Sequence, residues 1–281
     1  MLTRKERSTD RPLPLEPIEL IGVDLDGTLL RDDQTLSVEV AQAIADAQDR
    51  GVKIVIVTAR PWRGTRRIYE ALGLNTLVVN HNGAVIHDPA SRHLLRDQRM
   101  PGSTARTVIQ LARHLDADIG VGVEVLDRFF VDRSTRRLQG LPELAMTDEA
   151  PCPFDALLQH PVTKVCLVGD SGSLGGLQIA LQKIGGGDVG IAYSNVRLLQ
   201  VLAAGVDKGT GLAFAAEHYG VPRERVMAIG DAPNDTPMIR WAGLGLAVGN
   251  GWPEVRRAAQ FVLPSNEEDG VAAAIRTYAA P

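Results

Sequence analysis

The run Lys53-Ile54-Val55-Ile56-Val57 constrains the fold more than any other stretch of the chain. Four consecutive β-branched residues favour an extended strand over a helix. Their lack of alternation demands apolar cover on both faces, the environment of an inner strand of a parallel sheet. Such strands need crossover helices, and the surrounding sequence supplies them. Ile18–Val23 reads as the preceding strand, and Ser37 caps a helix running to Arg50, with Glu39 in its first turn and Gly51 just past its end. A helix from about Gly64 to Leu72 and a strand at Thr76–Val79 follow. The alternation returns near the C-terminus as helix Lys208–Tyr219, strand Val226–Ile229, helix Thr236–Trp241, strand Gly245–Val248, a short helix, strand Phe261–Leu263 and a last helix from Asp269. This pattern predicts an α/β fold with a doubly wound, Rossmann-like parallel sheet.

Between the two halves the texture changes. Ala84–His87 and His93–Arg96 flank an Asp88-Pro89 turn and read as a hairpin. A helix at Ser103–Leu115, strands near Ile119–Val125 and Arg128–Val131, a Pro151-Cys152-Pro153 loop, strand Thr163–Val168, helix Leu174–Ile184 and strand Val189–Tyr193 complete the stretch. Mixed strands and helices of this kind predict an α+β layer inserted over 84–193 into a core formed by 17–83 and 194–281. Residues 1–16 are rich in Arg, Glu, Asp and Pro without the apolar centre of a secretory signal, and are read as a loose tail.

Composition excludes several function classes. A formal net charge of −4 without a long basic run argues against binding to a nucleic-acid backbone, and an aromatic content of 4% argues against base-stacking platforms. No apolar run approaches the length of a membrane span, so a cytoplasmic location is expected. Two cysteines, Cys152 and Cys166, make neither a disulfide framework nor a zinc site.

The chemistry-bearing residues sit just past the predicted strands, where open α/β sheets bind their ligands. Asp24-Leu25-Asp26-Gly27-Thr28 follows the first strand. Two carboxylates one residue apart can face a common space there, although an acidic turn is the plain structural alternative. Thr58-Ala59-Arg60 follows the second strand, where a hydroxyl and free N–H groups suit phosphate oxygens, or where the threonine simply caps a helix. Lys208 stands at a predicted helix start, opposing the helix dipole; a phosphate or carboxylate partner would justify its position, and a solvated surface lysine is the plain alternative. Gly230-Asp231-Ala232-Pro233-Asn234-Asp235 offers hard oxygen ligands for Mg²⁺, or an acidic cap for the helix that follows, and Asp235 can serve both purposes.

Taken in this order, the D-x-D-G-T, strand-end Thr, Lys and G-D-x-x-N-D elements resemble the haloacid dehalogenase superfamily. The similarity is to its Cof-like phosphatases with a large inserted α/β cap of type IIB. Asn82-Gly83-Ala84, Ala247-Val248-Gly249-Asn250 and Ser265-Asn266 with Asp269-Gly270-Val271 extend the match over Ile18 to Ile275. Ala59 stands where the family often has Gly, Asp207 precedes the lysine, and Pro237 lies in a helix start, where it fits the first turn. None of these removes a reacting group.

The resemblance implies a Mg²⁺-dependent phosphatase in which Asp24 forms an aspartyl-phosphate and Asp26 acts as general acid and then base. It places Mg²⁺ on Asp24, the backbone carbonyl of Asp26 and Asp231, supported by Asn234 and Asp235. Phosphate would be held by Thr58, Ala59 and Lys208, with Arg60 and Asn82 as candidate substrate contacts and His81 read as structural. The implied partner is a small phosphorylated metabolite such as a sugar phosphate, with no nucleic acid and no membrane. A phosphosugar mutase, a dedicated glycosyl-phosphate phosphatase and a non-enzymatic phosphometabolite sensor are the alternatives, and the intact nucleophile–acid pair argues against the last.

Overall fold

The computed structural model describes residues 17–133, 136–145, 151–185 and 189–279; the tail read at 1–16 lies outside them. The chain opens with β1 (Leu20–Val23), α1 (Val38–Asp49), β2 (Lys53–Val57), α2 (Trp62–Ala71), β3 (Val78–Asn80) and a hairpin of β4 (Val85–Asp88) and β5 (His93–Asp97). Next come α3 (Gly102–Leu115), β6 (Gly120–Val125), β7 (Arg128–Val131), α4 (Phe154–Leu157), β8 (Lys164–Val168), α5 (Ser171–Gly185), β9 (Val189–Asn195) and β10 (Leu198–Ala203). It closes with α6 (Lys208–His218), β11 (Val226–Gly230), α7 (Thr236–Trp241), β12 (Leu244–Ala247), α8 (Pro253–Ala258), β13 (Phe261–Val262) and α9 (Gly270–Tyr278).

Two sheets organise these elements. The core sheet runs β13-β12-β11-β1-β2-β3-β4-β5, parallel from β13 to β3 and antiparallel at β4 and β5. The second sheet, β7-β6-β8-β10-β9, is antiparallel throughout. The period-2 geometry of a strand explains how β2 is covered on both faces. Ile54 and Ile56 pack with Ala43, Ile44 and Ile275, whereas Val55 and Val57 pack with Leu212, Ala215 and Met238 on the opposite face. Each such buried aliphatic side chain contributes about 1.5–3 kcal/mol.

Sheet membership departs from the expected boundaries at 84 and 193. The hairpin forms as read, but β4 pairs with β3 and so extends the core sheet. The cause is a tight reversal at 81–83, where His81, Asn82 and Gly83 all take positive φ and fold the chain back beside β3. At the other end, β10 was not among the expected strands, and its six residues are all buried within the second sheet. It turns out of β9 through Asn195, whose Oδ1 accepts from the Arg197 N–H at 3.0 Å. An Asx turn of this kind reverses the chain without the glycine that usually signals a hairpin. By sheet membership the insertion therefore begins after β5 and ends with β10.

Candidate active site

β11, β1 and β2 are neighbours and parallel, so Asp231, Asp24 and Thr58 leave the same edge of the sheet side by side. Past Asp24 the chain makes one wide turn, with the Leu30 N–H donating to the Leu25 carbonyl at 2.9 Å. Asp26 (φ −71°, ψ 122°) and Gly27 (φ 72°) lie outside helical geometry within it. A Cβ at Gly27 would stand 2.7 Å from Asp231 Oδ2. Positive φ and close approach together require glycine here.

Lys208 supplies the charge at the centre. Fully buried at the start of α6, it has Nζ 2.7 Å from Asp24 Oδ1 and 2.6 Å from Asp235 Oδ1. These two carboxylates are the anionic partner that justifies its position, and the helix is capped independently by Asp207, which accepts from the Thr210 N–H at 2.7 Å. The other Asp235 oxygen accepts from the N–H groups of Asp231 and Ala232, both at 2.9 Å. Asp231 accepts from the Thr28 hydroxyl at 2.8 Å.

Three carboxylates thus gather about one ammonium, which bonds two of them directly. Burial, reinforced by the charge of Asp235, pushes the Asp24 pKa well above its ordinary value, with Lys208 opposing. Burial and Asp235 likewise raise Asp231 to about 7. Burial would lower Lys208, but Asp235 and Asp24 outweigh it and raise its pKa. The surplus negative charge is what a divalent cation would neutralise. Asp24, Asp231 and Asp235 each offer an oxygen within 4.8 Å of the others, against about 4 Å across a Mg²⁺ octahedron. Hard oxygen donors at nearly that spacing fit such an ion.

The remaining expected residues divide. Thr58 is buried, and its hydroxyl accepts from the Arg60 N–H at 3.1 Å. The Ala59 carbonyl accepts from Lys164. Arg60, a candidate substrate contact, grips Asp26: its Nε donates at 2.8 Å, and its Nη2 reaches the other carboxylate oxygen and the Gln34 side chain. The Asp26 carboxylate is thus held by arginine rather than by Lys208, although its charge still raises the pKa values of Asp24 and Asp231. Asn82, also expected at the substrate, is fully buried; its amide meets that of Asn234 at 2.9 Å and Gln200 at 3.4 Å. The Asn234 orientation that satisfies both ends sets its oxygen 3.3 Å from Lys208 Nζ and its nitrogen 3.0 Å from the Tyr193 carbonyl. Asn82 thus bridges the two sheets, because the left-handed backbone at 81–82 turns it inward. His81 is buried and held well below the usual imidazole pKa, by burial and then by Lys164 and Arg63, which suits a structural, neutral ring.

A sequence profile of haloacid dehalogenase-like hydrolases matches residues 21–275. The chain belongs to that family. It is 30% identical over 267 residues to the 5-amino-6-(5-phospho-D-ribitylamino)uracil phosphatase YitU of Bacillus subtilis (strain 168), covering 92% of this chain and 97% of the relative. Against the crystal structure of a haloacid dehalogenase-like hydrolase from Bacteroides thetaiotaomicron, the TM-score is 0.79 at 28% identity, covering 92% of this chain and 99% of that one. A sugar phosphatase of haloacid dehalogenase subclass IIB aligns with a TM-score of 0.82 at 20% identity, over 92% and 98% of the two chains; that likeness shows the shared fold of core and cap. In the terms of the family, the second sheet is the cap.

Several cap residues of this haloacid dehalogenase-like chain were not singled out from sequence. Lys164 of β8 is fully buried, donating to the Ala59 carbonyl at 2.8 Å and to Gln200 Oε1 at 2.7 Å. Glu124 of β6 is also fully buried and pairs with Arg63 of α2 at 2.5 Å. Burial raises its pKa to about 7 against the pull of Arg63 and Lys164. The signal was present: each is a charged residue within a strand read as apolar, and buried charges need partners.

Proposed function

We propose that this chain is a Mg²⁺-dependent phosphatase hydrolysing small phosphate monoesters through a phosphorylated Asp24. The observation that carries the reading is Asp24 itself. It is a buried carboxylate at the centre of the sheet edge, against Lys208 and in one cluster with Asp231 and Asp235, with a second acid two residues away. Binding alone does not need a nucleophile and an acid so arranged.

In this reading Asp24 and Asp231 would hold the metal ion together with the Asp26 carbonyl, and Asp235, whose two oxygens already accept from Lys208 and from the N–H groups of Asp231 and Ala232, would support them. When bound, the ion offsets the repulsion between an anionic carboxylate and an anionic phosphoryl group. Asp24 attacks phosphorus, and the ester oxygen leaves with a proton from Asp26. Asp26 then takes a proton from the water that attacks the phosphorylated Asp24. Lys208 and Thr58 contact the transferring oxygens and stabilise charge that grows in the transition state. For either proton transfer Asp26 must loosen from the Arg60 fork, so Arg60 acts as a positioning residue in this scheme.

The substrate class follows from the kind of ester a capped site encloses and from the ribityl phosphate named for the Bacillus subtilis relative. We take it to be a sugar or polyol phosphate met in the cytoplasm. Phosphate release from such esters and from p-nitrophenyl phosphate, with Mg²⁺ or with EDTA, tests the reading. Turnover that EDTA removes is expected; well-folded protein inert toward every ester in Mg²⁺ would sink it.

A further inference from the structure

One buried acid in the cap has no role in this chemistry. Glu143 lies in the short turn Pro142–Leu144 and is buried, yet its Oε2 has no hydrogen-bond partner among the described residues. An unsatisfied buried carboxylate oxygen is costly, and nothing in the local packing of this turn explains it.

The turn is pinned to the core at a definite place. Arg63 of α2 donates from Nη2 to the Leu144 carbonyl at 2.9 Å and from Nε to the Ala145 carbonyl at 2.7 Å. Ala145 packs so closely on Gly64 that a Cβ at that glycine would stand 2.8 Å from its own. The Gly64 carbonyl in turn accepts from Arg60 Nη1 at 3.2 Å, and Arg60 holds Asp26. Turn, arginine and catalytic acid therefore form one packed unit. Burial and then the charge of Asp26 raise the Glu143 pKa, with Arg60 and Lys164 opposing, as expected of a carboxyl facing these groups.

We propose that Glu143 is a specificity-determining residue whose free carboxylate oxygen accepts a hydrogen bond from a hydroxyl of the departing alcohol. The proposal rests on the phosphatase reading above. Asp26 protonates the ester oxygen, so a cap carboxyl beside Asp26 meets the carbons nearest that oxygen. In a polyol or sugar phosphate these carry hydroxyls that satisfy Glu143. A phenyl ester carries none and leaves the buried oxygen unpaired. Sites built to hydrogen-bond a hydroxyl reject analogues lacking it by large factors.

The test compares kcat/KM for ribitol 5-phosphate and phenyl phosphate in wild type, Glu143→Leu and Glu143→Gln. Loss of a hydrogen bond to a charged acceptor predicts a fall of about 10- to 100-fold on ribitol 5-phosphate in Glu143→Leu. Glu143→Gln, which keeps a carbonyl acceptor, should fall less, and phenyl phosphate turnover should stay within about 3-fold in both. Retained phenyl phosphate turnover also shows that the variants fold. Equal losses on both esters would assign Glu143 a purely structural role, or one exerted through Asp26, and overturn the proposal; so would unchanged discrimination. A wild type inert toward both esters overturns the phosphatase reading, and the proposal with it.

Discussion

Replacing Lys208 with Met removes the one ammonium that bridges Asp24 and Asp235 and leaves those carboxylates buried. Truncating one partner of a buried ion pair costs about 3–5 kcal/mol, because the surviving charge has neither water nor a counter-ion. At about 2–4 °C per kcal/mol for a chain of this size, the melting temperature should fall by about 6–20 °C. The sign of the pH dependence follows from Asp24, whose pKa in the fold already lies above the ordinary value of 3.8 and would rise further without Lys208. A carboxyl with a raised pKa penalises the fold where it is ionised, and the penalty fades as pH drops through the folded value toward the unfolded one. The deficit of Lys208→Met should therefore be largest at alkaline pH and shrink as pH falls toward the ordinary carboxylate range. Thermal melts of wild type and variant in EDTA at the two ends of that range measure it. A variant as stable as wild type at the higher pH, or a deficit that ignores pH, refutes the electrostatic account of the cluster.

Two other outcomes follow from the same geometry. Asp26→Asn should slow hydrolysis of a sugar phosphate by about 10²- to 10⁴-fold, the usual contribution of a general acid. It should slow the transfer of phosphate from p-nitrophenyl phosphate to Asp24 far less, since that leaving group departs without a proton; a pre-steady-state burst of p-nitrophenolate, followed by slow turnover that still needs Asp26 as base, decides the matter. Glu124 has its pKa raised from 4.5 to about 7, so its ionised form opposes the folded state by up to about 3 kcal/mol above neutral pH, a penalty lost as pH falls toward 4.5. Urea melts of wild type and Glu124→Gln across that range should therefore differ in pH dependence, with the variant's stability the flatter of the two.

The core was legible because its signals are local. A β-branched run without alternation, a serine cap and strand-end polar residues each have a structural cause within a few residues, and the observed β2, α1 and Asp24 turn agree with them. Lys208 was legible as an anomaly, a cation at the wrong end of a helix. The ends of the cap were not. The reversal at 81–83 needs left-handed backbone at two consecutive non-glycine residues, His81 and Asn82, a run uncommon even for residue types that tolerate it singly, and the Asx turn at Asn195 hides β10 behind a segment without glycine. The engagement of Asp26 by Arg60 was equally hidden. It pairs residues 34 positions apart, and the spacing along the chain says only that both leave neighbouring strands. The turn that carries Glu143 meets the core through Arg63 and Gly64, far away in the sequence, so no local pattern could disclose it.

The central claim is that Asp24 is phosphorylated during turnover. Wild type and Asp24→Asn, each mixed with a ³²P-labelled sugar phosphate in Mg²⁺ and quenched in acid, can be digested and the labelled peptide mapped. The account predicts label on the peptide carrying Asp24 in wild type and none in Asp24→Asn, which should also release no phosphate. Phosphate release by Asp24→Asn at the wild-type rate, or label confined to a different peptide, would contradict it.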